Sequence, residues 1–330
     1  MAEKKSDLLE QRKQDLVNAK LDGDAREEMF AYKNLGEAYN EVDDTKKAIE
    51  NFIHSLRIAQ QERDRAYEGE VSWDLGDAYY ALSDYKQAVE HHNKYLVISK
   101  ELGDLGGEGN ANRDLGKCYY ELRDYKQAVE HHNKYLVISK ELGDRGGEAR
   151  ANHHLGKCYD ALCDYKQAVE HHNKYLVISK ELGDRDGEGH ANHHLGHFYD
   201  KFSDYKQAIE HYNKYLVISK ELGDRVGEGK ANLHLGHCYR VLSDYNQAIW
   251  CAEQSVIIAK NTGDKVAEGK AKNFLGKTYR FYVNDYEKAT ENFMQQLDIA
   301  KDVGDRDGEQ DAYSNLGLVH NILALLKKRR

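Results

Sequence analysis

The chain has no proline in its 330 residues, only seven phenylalanines against 24 tyrosines, and no long apolar run. A membrane-crossing helix needs about 20 predominantly apolar residues, whereas the longest apolar stretch near the end is the short run Ile322 to Leu326. Met1 to Gln14 carries charge throughout, so neither a signal peptide nor a membrane span is expected. The mean hydropathy of −0.85 is polar for a protein of this size. A single deep core is therefore not expected, and thin layers of buried residues fit better.

Other absences narrow the function. Five cysteines is an odd number, and Cys118, Cys158 and Cys238 share a position that elsewhere holds Ala38, Ala78, Phe198 or Thr278. A disulfide framework does not vary in that way, so these read as small core residues of a reduced, cytoplasmic protein. Cys163 and Cys251 have no assignment. The formal charge of −9 argues against nucleic acid as a partner, because phosphate binders show a dominant basic face. No His-Glu-x-x-His, phosphate-binding glycine loop or diagnostic nucleophile–base spacing occurs, so neither an enzyme nor a cofactor is expected.

What the chain does have is repetition. Leu-Gly recurs at 35/36, 75/76, 115/116, 155/156, 195/196, 235/236 and 275/276, a period of 40, and an eighth copy follows at Leu316 and Gly317. The last copy slips by one residue through an insertion between Arg280 and Asn284. Asp84 to Asp104 repeats letter for letter at 124–144 and 164–184, and with two changes at 204–224. Such identity suggests recent duplication or consensus design.

Within a unit, Ala111, Leu115, Cys118, Tyr119 and Leu122 line one face of a first helix, here called A. Tyr125, Ala128, Val129, His132, Leu136 and Ile138 line a second, B, whose start carries the capping-box pattern Asp124 with Gln127. Gly143 suits the left-handed residue that ends helix B, and Asp144 can cap the next A helix. Neither helix can bury its stripe alone, so pairs must stack. The reading is one array over 1–330: a capping helix at 6–22, seven repeats over 27–303, and a closing helix at 308–330. Its basic tail, Lys327 to Arg330, suits a helix C-terminus.

Leu115, Gly116, Tyr119 and Ala128 match the tetratricopeptide repeat pattern. The period of 40, the linker Gly143, Asp144, Gly147, Glu148 and the stretch His132, Leu136, Ile138 more specifically resemble the Pins/LGN family of G-protein signalling modulators and related large multi-repeat proteins. The resemblance implies an all-α, right-handed superhelical solenoid of about seven helix pairs with an extra helix at each end. It also implies that A helices form a concave wall binding extended acidic segments of cell-polarity and spindle-orientation adaptors.

On that expectation, the groove residues are those five and two before the Leu, one before it and two after it. The first two units place mainly acids there: Glu37, Glu70, Asp74 and Asp77 beside Lys33 and Trp73. Later units supply Arg113, Lys117, Arg150, His153, His154, Lys157, His190, His193, His194, His197, Lys230, His234, His237, Lys270 and Lys277. A protein or peptide ligand with an acidic extended segment matches this wall.

His190, His193, His194 and His197 also stand at i, i+3, i+4 and i+7, a spacing that could chelate a transition metal. If these histidines titrate near their ordinary value, acid strengthens binding of an acidic peptide. The pairs His91-His92, His131-His132 and His171-His172 lie on B helices, the second of each on the packed stripe. Two alternatives stand beside the scaffold reading: a duplicated or consensus-like array without a dedicated ligand, and a His-rich metal- or pH-responsive module.

Overall fold

The computed structural model describes residues 2–328, with side chains from residue 5. Among these residues there are sixteen α-helices, one π-helical turn and no strand. The helices are α1 (Ala2–Asp22), α2 (Ala25–Glu41), α3 (Thr45–Glu62), α4 (Arg65–Ala81), α5 (Tyr85–Leu102), α6 (Leu105–Glu121), α7 (Tyr125–Glu141) and α8 (Arg145–Ala161). Then follow α9 (Tyr165–Leu182), α10 (Arg185–Lys201), α11 (Tyr205–Leu222), α12 (Arg225–Val241), α13 (Tyr245–Thr262), α14 (Lys265–Thr278), α15 (Tyr286–Val303) and α16 (Arg306–Lys328). No helix is long and apolar enough to cross a membrane. Even-numbered helices from α2 to α14 carry the A pattern. The expected all-α solenoid of helix pairs is what forms.

Two compact units are distinguished, one ending at Lys174 and the other beginning at Tyr175. In the first, α2 pairs with α3, α4 with α5 and α6 with α7, and each pair packs on the next through α3 with α4, α5 with α6 and α7 with α8. The second repeats the scheme with α10 and α11, α12 and α13, and α14 and α15, closed by α16 on α15.

The Leu-Gly signature explains how close two helices come. Leu115 is fully buried, and a Cβ added at Gly116 would overlap the imidazole of His132 on the next helix. The same closeness sets Gly36 on Phe52, Gly196 on Tyr212 and Gly276 on Phe293. At Gly317 an added Cβ meets nothing within 4 Å.

The turns are tighter than the sequence pattern suggests. Gly143 is left-handed as expected, with φ 66°. The A-to-B turns also use a left-handed residue, but it is not glycine: Asp43, Ser83, Arg123, Cys163, Ser203, Ser243 and Asn284 all have φ near +60°. At Ser83 the amide donates to the Tyr80 carbonyl at 2.9 Å and Asp84 N donates to Tyr79 O at 2.9 Å, the paired bonds of a Schellman end.

Of the capping box, one half forms: Asp124 Oδ1 accepts from Gln127 N at 3.2 Å. The Asp124 amide is already used, donating to Tyr119 O at 2.9 Å, so the return bond from Gln127 has no donor to satisfy. The one-residue insertion is absorbed as the π-helical turn Tyr279–Val283. Asp285 N accordingly reaches back six residues to Tyr279 O, where Asp244 N reaches five to Tyr239 O. Cys118, Cys158 and Cys238 are buried and free, as is Cys251, while Cys163 is exposed in its turn. Lys327 and Lys328 lie exposed in the last turn of α16; Arg329 and Arg330 lie outside the described residues.

Candidate peptide-binding faces

In the first unit the cations expected to be free are partly committed. Asp114, expected in the groove, is only 4% exposed. Arg113 grips it with Nε at 2.9 Å and Nη2 at 2.8 Å, Lys117 donates at 3.0 Å, and Trp73 Nε1 donates from α4 at 3.1 Å. Burial opposes the charge on Asp114, but the Arg113 and Lys117 contacts overcome it and hold its pKa well below the carboxylate range. Arg113 and Lys117 thus neutralise a buried acid before they can meet a ligand.

Next along, Arg150 is exposed and donates from Nε to the Tyr135 hydroxyl at 3.2 Å. Lys157 sets its ammonium 4.9 Å from the Tyr120 ring centroid. His154 lies flat on His132, ring centroids 4.8 Å apart, with His153 beside it at 5.4 Å. Toward the N-terminus the face is acidic, and Lys33 lies 3.3 Å from Glu37, 3.6 Å from Asp74 and 3.7 Å from Glu70. Burial pushes the Asp74 carboxyl up to about 6.

In the second unit His193 meets His194, Tyr215 and His234, and His234 stacks on Tyr212 at 4.8 Å. His190 Nε2 sits 3.5 Å from Asp186, and the His197 ring lies 5.9 Å from Phe198. Lys277 is committed to Asp311 at 3.1 Å. Lys230 and Lys270 are exposed and, among the described residues, pair with no carboxylate.

The histidine expectations need correction in two respects. Burial depresses the pKa of His154 and His193 to about 3 and of His234 to about 4. These rings do not titrate near their ordinary value, so they add no positive charge to the face between pH 7 and 5.5. Nor do His190, His193, His194 and His197 gather three ligand atoms. Among the described residues the groups that do so are Asp200, His237, Cys238 and Asp77, His92, Asp114.

Two features escaped the sequence reading. Asn112, Asn152 and Asn192 are buried, and each bonds a B-helix histidine: Asn112 to His131 at 3.0 Å, Asn152 to His171 at 2.9 Å and Asn192 to His211 at 2.9 Å. His131 and His171, the first histidines of their pairs, are therefore buried and bonded, whereas in the copy with Ser72 in place of the asparagine His91 Nδ1 makes no hydrogen bond. The partners are 19 residues apart on different helices, beyond any single-helix spacing.

The other is a cleft of about 220 Å³ between α12, α13 and α14. Val226, Leu233, Ile258 and Val266 line it together with Lys230 and Lys270. Its origin is a substitution. Tyr95, Tyr135, Tyr175 and Tyr215 stand at one position of successive B helices, where the Tyr95 and Tyr215 hydroxyls lie close to Gly107 and Gly227 of the next A helix. Ser255 occupies that position in α13 and leaves the space open. The signal was present in the sequence as a broken tyrosine ladder.

The repeat geometry decides the family, because tetratricopeptide-repeat family profiles match residues 27–101 and 107–181, and a further one matches 189–221. The chain belongs to the tetratricopeptide-repeat family. Such repeats are protein-interaction scaffolds, and no catalytic family is indicated. No curated protein matches the sequence. Among solved structures, the tetratricopeptide-repeat sensor-bearing signal transduction ATPase of Pyrococcus horikoshii is similar at 18% identity and a TM-score of 0.65. That likeness covers 92% of this chain but 44% of the ATPase, so this chain spans less than half of its length. The apo form of RapI is similar at 16% identity over 84% of this chain and 99% of that one, TM-score 0.63. A Rap protein complexed with competence and sporulation factor shares 16% identity over 94% and 79% of the two chains, TM-score 0.54. At these identities the likeness establishes the tetratricopeptide-repeat fold.

Proposed function

We propose that this tetratricopeptide-repeat scaffold binds an extended acidic segment of a partner protein, anchored by an apolar side chain. The observation that carries the reading is the cleft between α12 and α14, apolar within and flanked by Lys230 and Lys270. Arg113 and Lys117 face Asp114, and Lys277 faces Asp311, so these cations have less charge to offer. Lys230 and Lys270 have no such acid and remain available. A carboxylate on either side of a buried leucine or phenylalanine satisfies both the apolar lining and the two ammonium groups. Half-buried Lys157 gives the first unit a cation of its own for acidic residues, whereas exposed Arg150 lies 3.4 Å from Asp144. A relative of this fold was solved with competence and sporulation factor, which fits a fold that holds a separate molecule. Adaptors of cell polarity and spindle orientation are the partner class to which the Pins/LGN resemblance points.

The test is fluorescence anisotropy with a labelled Glu/Asp-rich peptide carrying one central leucine. The chain is expected to bind it and to refuse a peptide with the acids replaced by lysine. Lys230→Glu with Lys270→Glu should weaken binding by about 100-fold, roughly 1.4 kcal/mol per substituted site. Ser255→Tyr should restore the tyrosine ladder, fill the cleft and also weaken binding. Equal affinity for both peptides, or unchanged binding by the Glu and Tyr variants, would overturn the proposal.

A further inference from the structure

Along α10 and α12 the fold assembles a ligand set that neither helix carries alone. Asp200 stands in the last turn of α10, and His237 and Cys238 stand together on α12. One carboxylate oxygen, one imidazole nitrogen and the thiol sulfur all lie within 4.8 Å of one another. His237 Nδ1 sits 3.4 Å from Asp200 Oδ1, yet the nitrogen is buried and makes no hydrogen bond. An unbonded ring nitrogen aimed at a carboxylate and a thiol is a poor arrangement for a protein alone. It is a good one for a cation.

We infer that Asp200, His237 and Cys238 form a Zn²⁺ site with an open fourth position for water. The donors are one oxygen, one nitrogen and one sulfur, a mixed set suited to borderline-soft Zn²⁺ and ill suited to Mg²⁺ or Ca²⁺. Charge also balances. Zn²⁺ displaces the Cys238 thiol proton to solvent and forms a Zn–S bond, and the thiolate and the Asp200 carboxylate together neutralise the ion. A neutral complex suits a place where Cys238 is fully buried while Asp200 and His237 still reach solvent, giving the ion a way in.

The repeats supply an internal comparison. Residues at the positions of Asp200, His237 and Cys238 are Tyr80, Lys117 and Cys118 in one copy, and Tyr120, Lys157 and Cys158 in another. Each has the cysteine, but a lysine beside it and no carboxylate. A third copy has Asp160 and His197 at the first two positions but Phe198 in place of the thiol, so among these copies all three donors coincide only at Asp200, His237 and Cys238.

The test uses the full chain and Co²⁺ as a spectroscopic substitute for Zn²⁺. Titration should produce a sulfur-to-cobalt charge-transfer band saturating at one Co²⁺ per chain and abolished by added Zn²⁺. Cys238→Ser should abolish the band, and Cys163→Ser, which removes the exposed thiol, should keep it. Because Cys238→Ser alters a core position, Asp200→Asn and His237→Gln serve as solvent-side variants. Each should weaken Co²⁺ binding by about 10- to 100-fold, with far-UV circular dichroism unchanged. Cobalt spectra without a sulfur band mean that only surface histidines bind, and that overturns the proposal. So does a sulfur band that survives Asp200→Asn and His237→Gln, or one that disappears in Cys163→Ser.

Discussion

Acid should unfold this protein from its histidines outward. His92 and His132 are each 1% exposed, and burial drives their pKa down to about 4 and about 3. An unfolded histidine titrates near 6.5. The folded pKa of a base is here the lower one, so between pH 6.5 and 4 the unfolded chain binds more protons, and stability falls as the pH falls. One pKa unit corresponds to about 1.4 kcal/mol, so each ring removes about 2 kcal/mol at pH 5. His91, His131, His154, His171, His193 and His234 are depressed to about 3 or 4 by burial as well.

The raised carboxyls of the same unit do not reverse the sign. Asp74, with its carboxyl pushed up to about 6 by burial, takes up a proton in the folded state as pH falls and returns about 1 kcal/mol at pH 5. Asp77, 3.7 Å from His92 Nε2 and half exposed, is raised the same way and returns less. Asp114 favours a charged His92, but Arg113 and Lys117 beside it oppose one. Many imidazoles outweigh two carboxyls.

The assay is thermal melting by circular dichroism at pH 7.5, 6 and 5, with amide exchange in α5 and α7 as a local readout, since repeat arrays need not unfold as one. The diagnostic variant is His92→Phe with His132→Phe, because Phe52 and Phe293 already occupy this position against Gly36 and Gly276. It should gain about 1 kcal/mol per site at pH 7.5 by removing buried, unbonded nitrogens, and should lose about 4 kcal/mol less than the parent on going to pH 5. Equal parent stability at pH 7.5 and 5, or a double variant with the full acid loss, refutes the reasoning.

Three further outcomes are expected. Gly116→Ala should cost about 1–3 kcal/mol by driving a methyl into His132, whereas Gly317→Ala, with open space around it, should gain about 1 kcal/mol; paired melts compare them. Asp114→Ala should cost about 3–5 kcal/mol in urea unfolding because it strands Arg113 and Lys117, and adding Arg113→Ala should recover part of that loss. Arg123→Gly should raise the melting temperature, since Arg123 holds φ 61°, a conformation costing a side-chain-bearing residue about 1 kcal/mol; a lower melting temperature counts against this reading.

Much of the fold was legible because it rests on spacings within one helix. The Asp caps and the terminal glycines each act over three or four residues, and the structure uses them as expected, while Leu-Gly was legible through its period of 40. Contacts that join helices were not legible. The Asn152–His171 bond spans 19 residues, and the Asp200–His237 approach spans 37. Nor could the sequence show that Asp114 lies buried under Arg113 and Lys117, because the same helix position carries His154 and His234 in other copies. Ser255 was readable only as a missing tyrosine, which becomes a cleft once the facing helices are in place. Left-handed residues at Ser83 and Arg123 carry no glycine signal; the paired backbone bonds of the turn impose that conformation.

The letter-for-letter identity of Asp84 to Asp104 with 124–144 makes the number of repeats a tunable property within the first unit. Removing 40 residues, 85 to 124, joins Asp84 to Tyr125 and reproduces the same turn, the same cap and the same helix against α4. Gly76 then meets His132 in place of His92, and Arg65 meets Glu141 in place of Glu101. At the positions of Arg113, Asp114 and Lys117 then stand His153, His154 and Lys157, so Trp73 loses its carboxylate acceptor and has His154 as the next residue at that position. A shorter sibling is thus already specified at the level of the protein, with the junction of one complete repeat to the next unchanged.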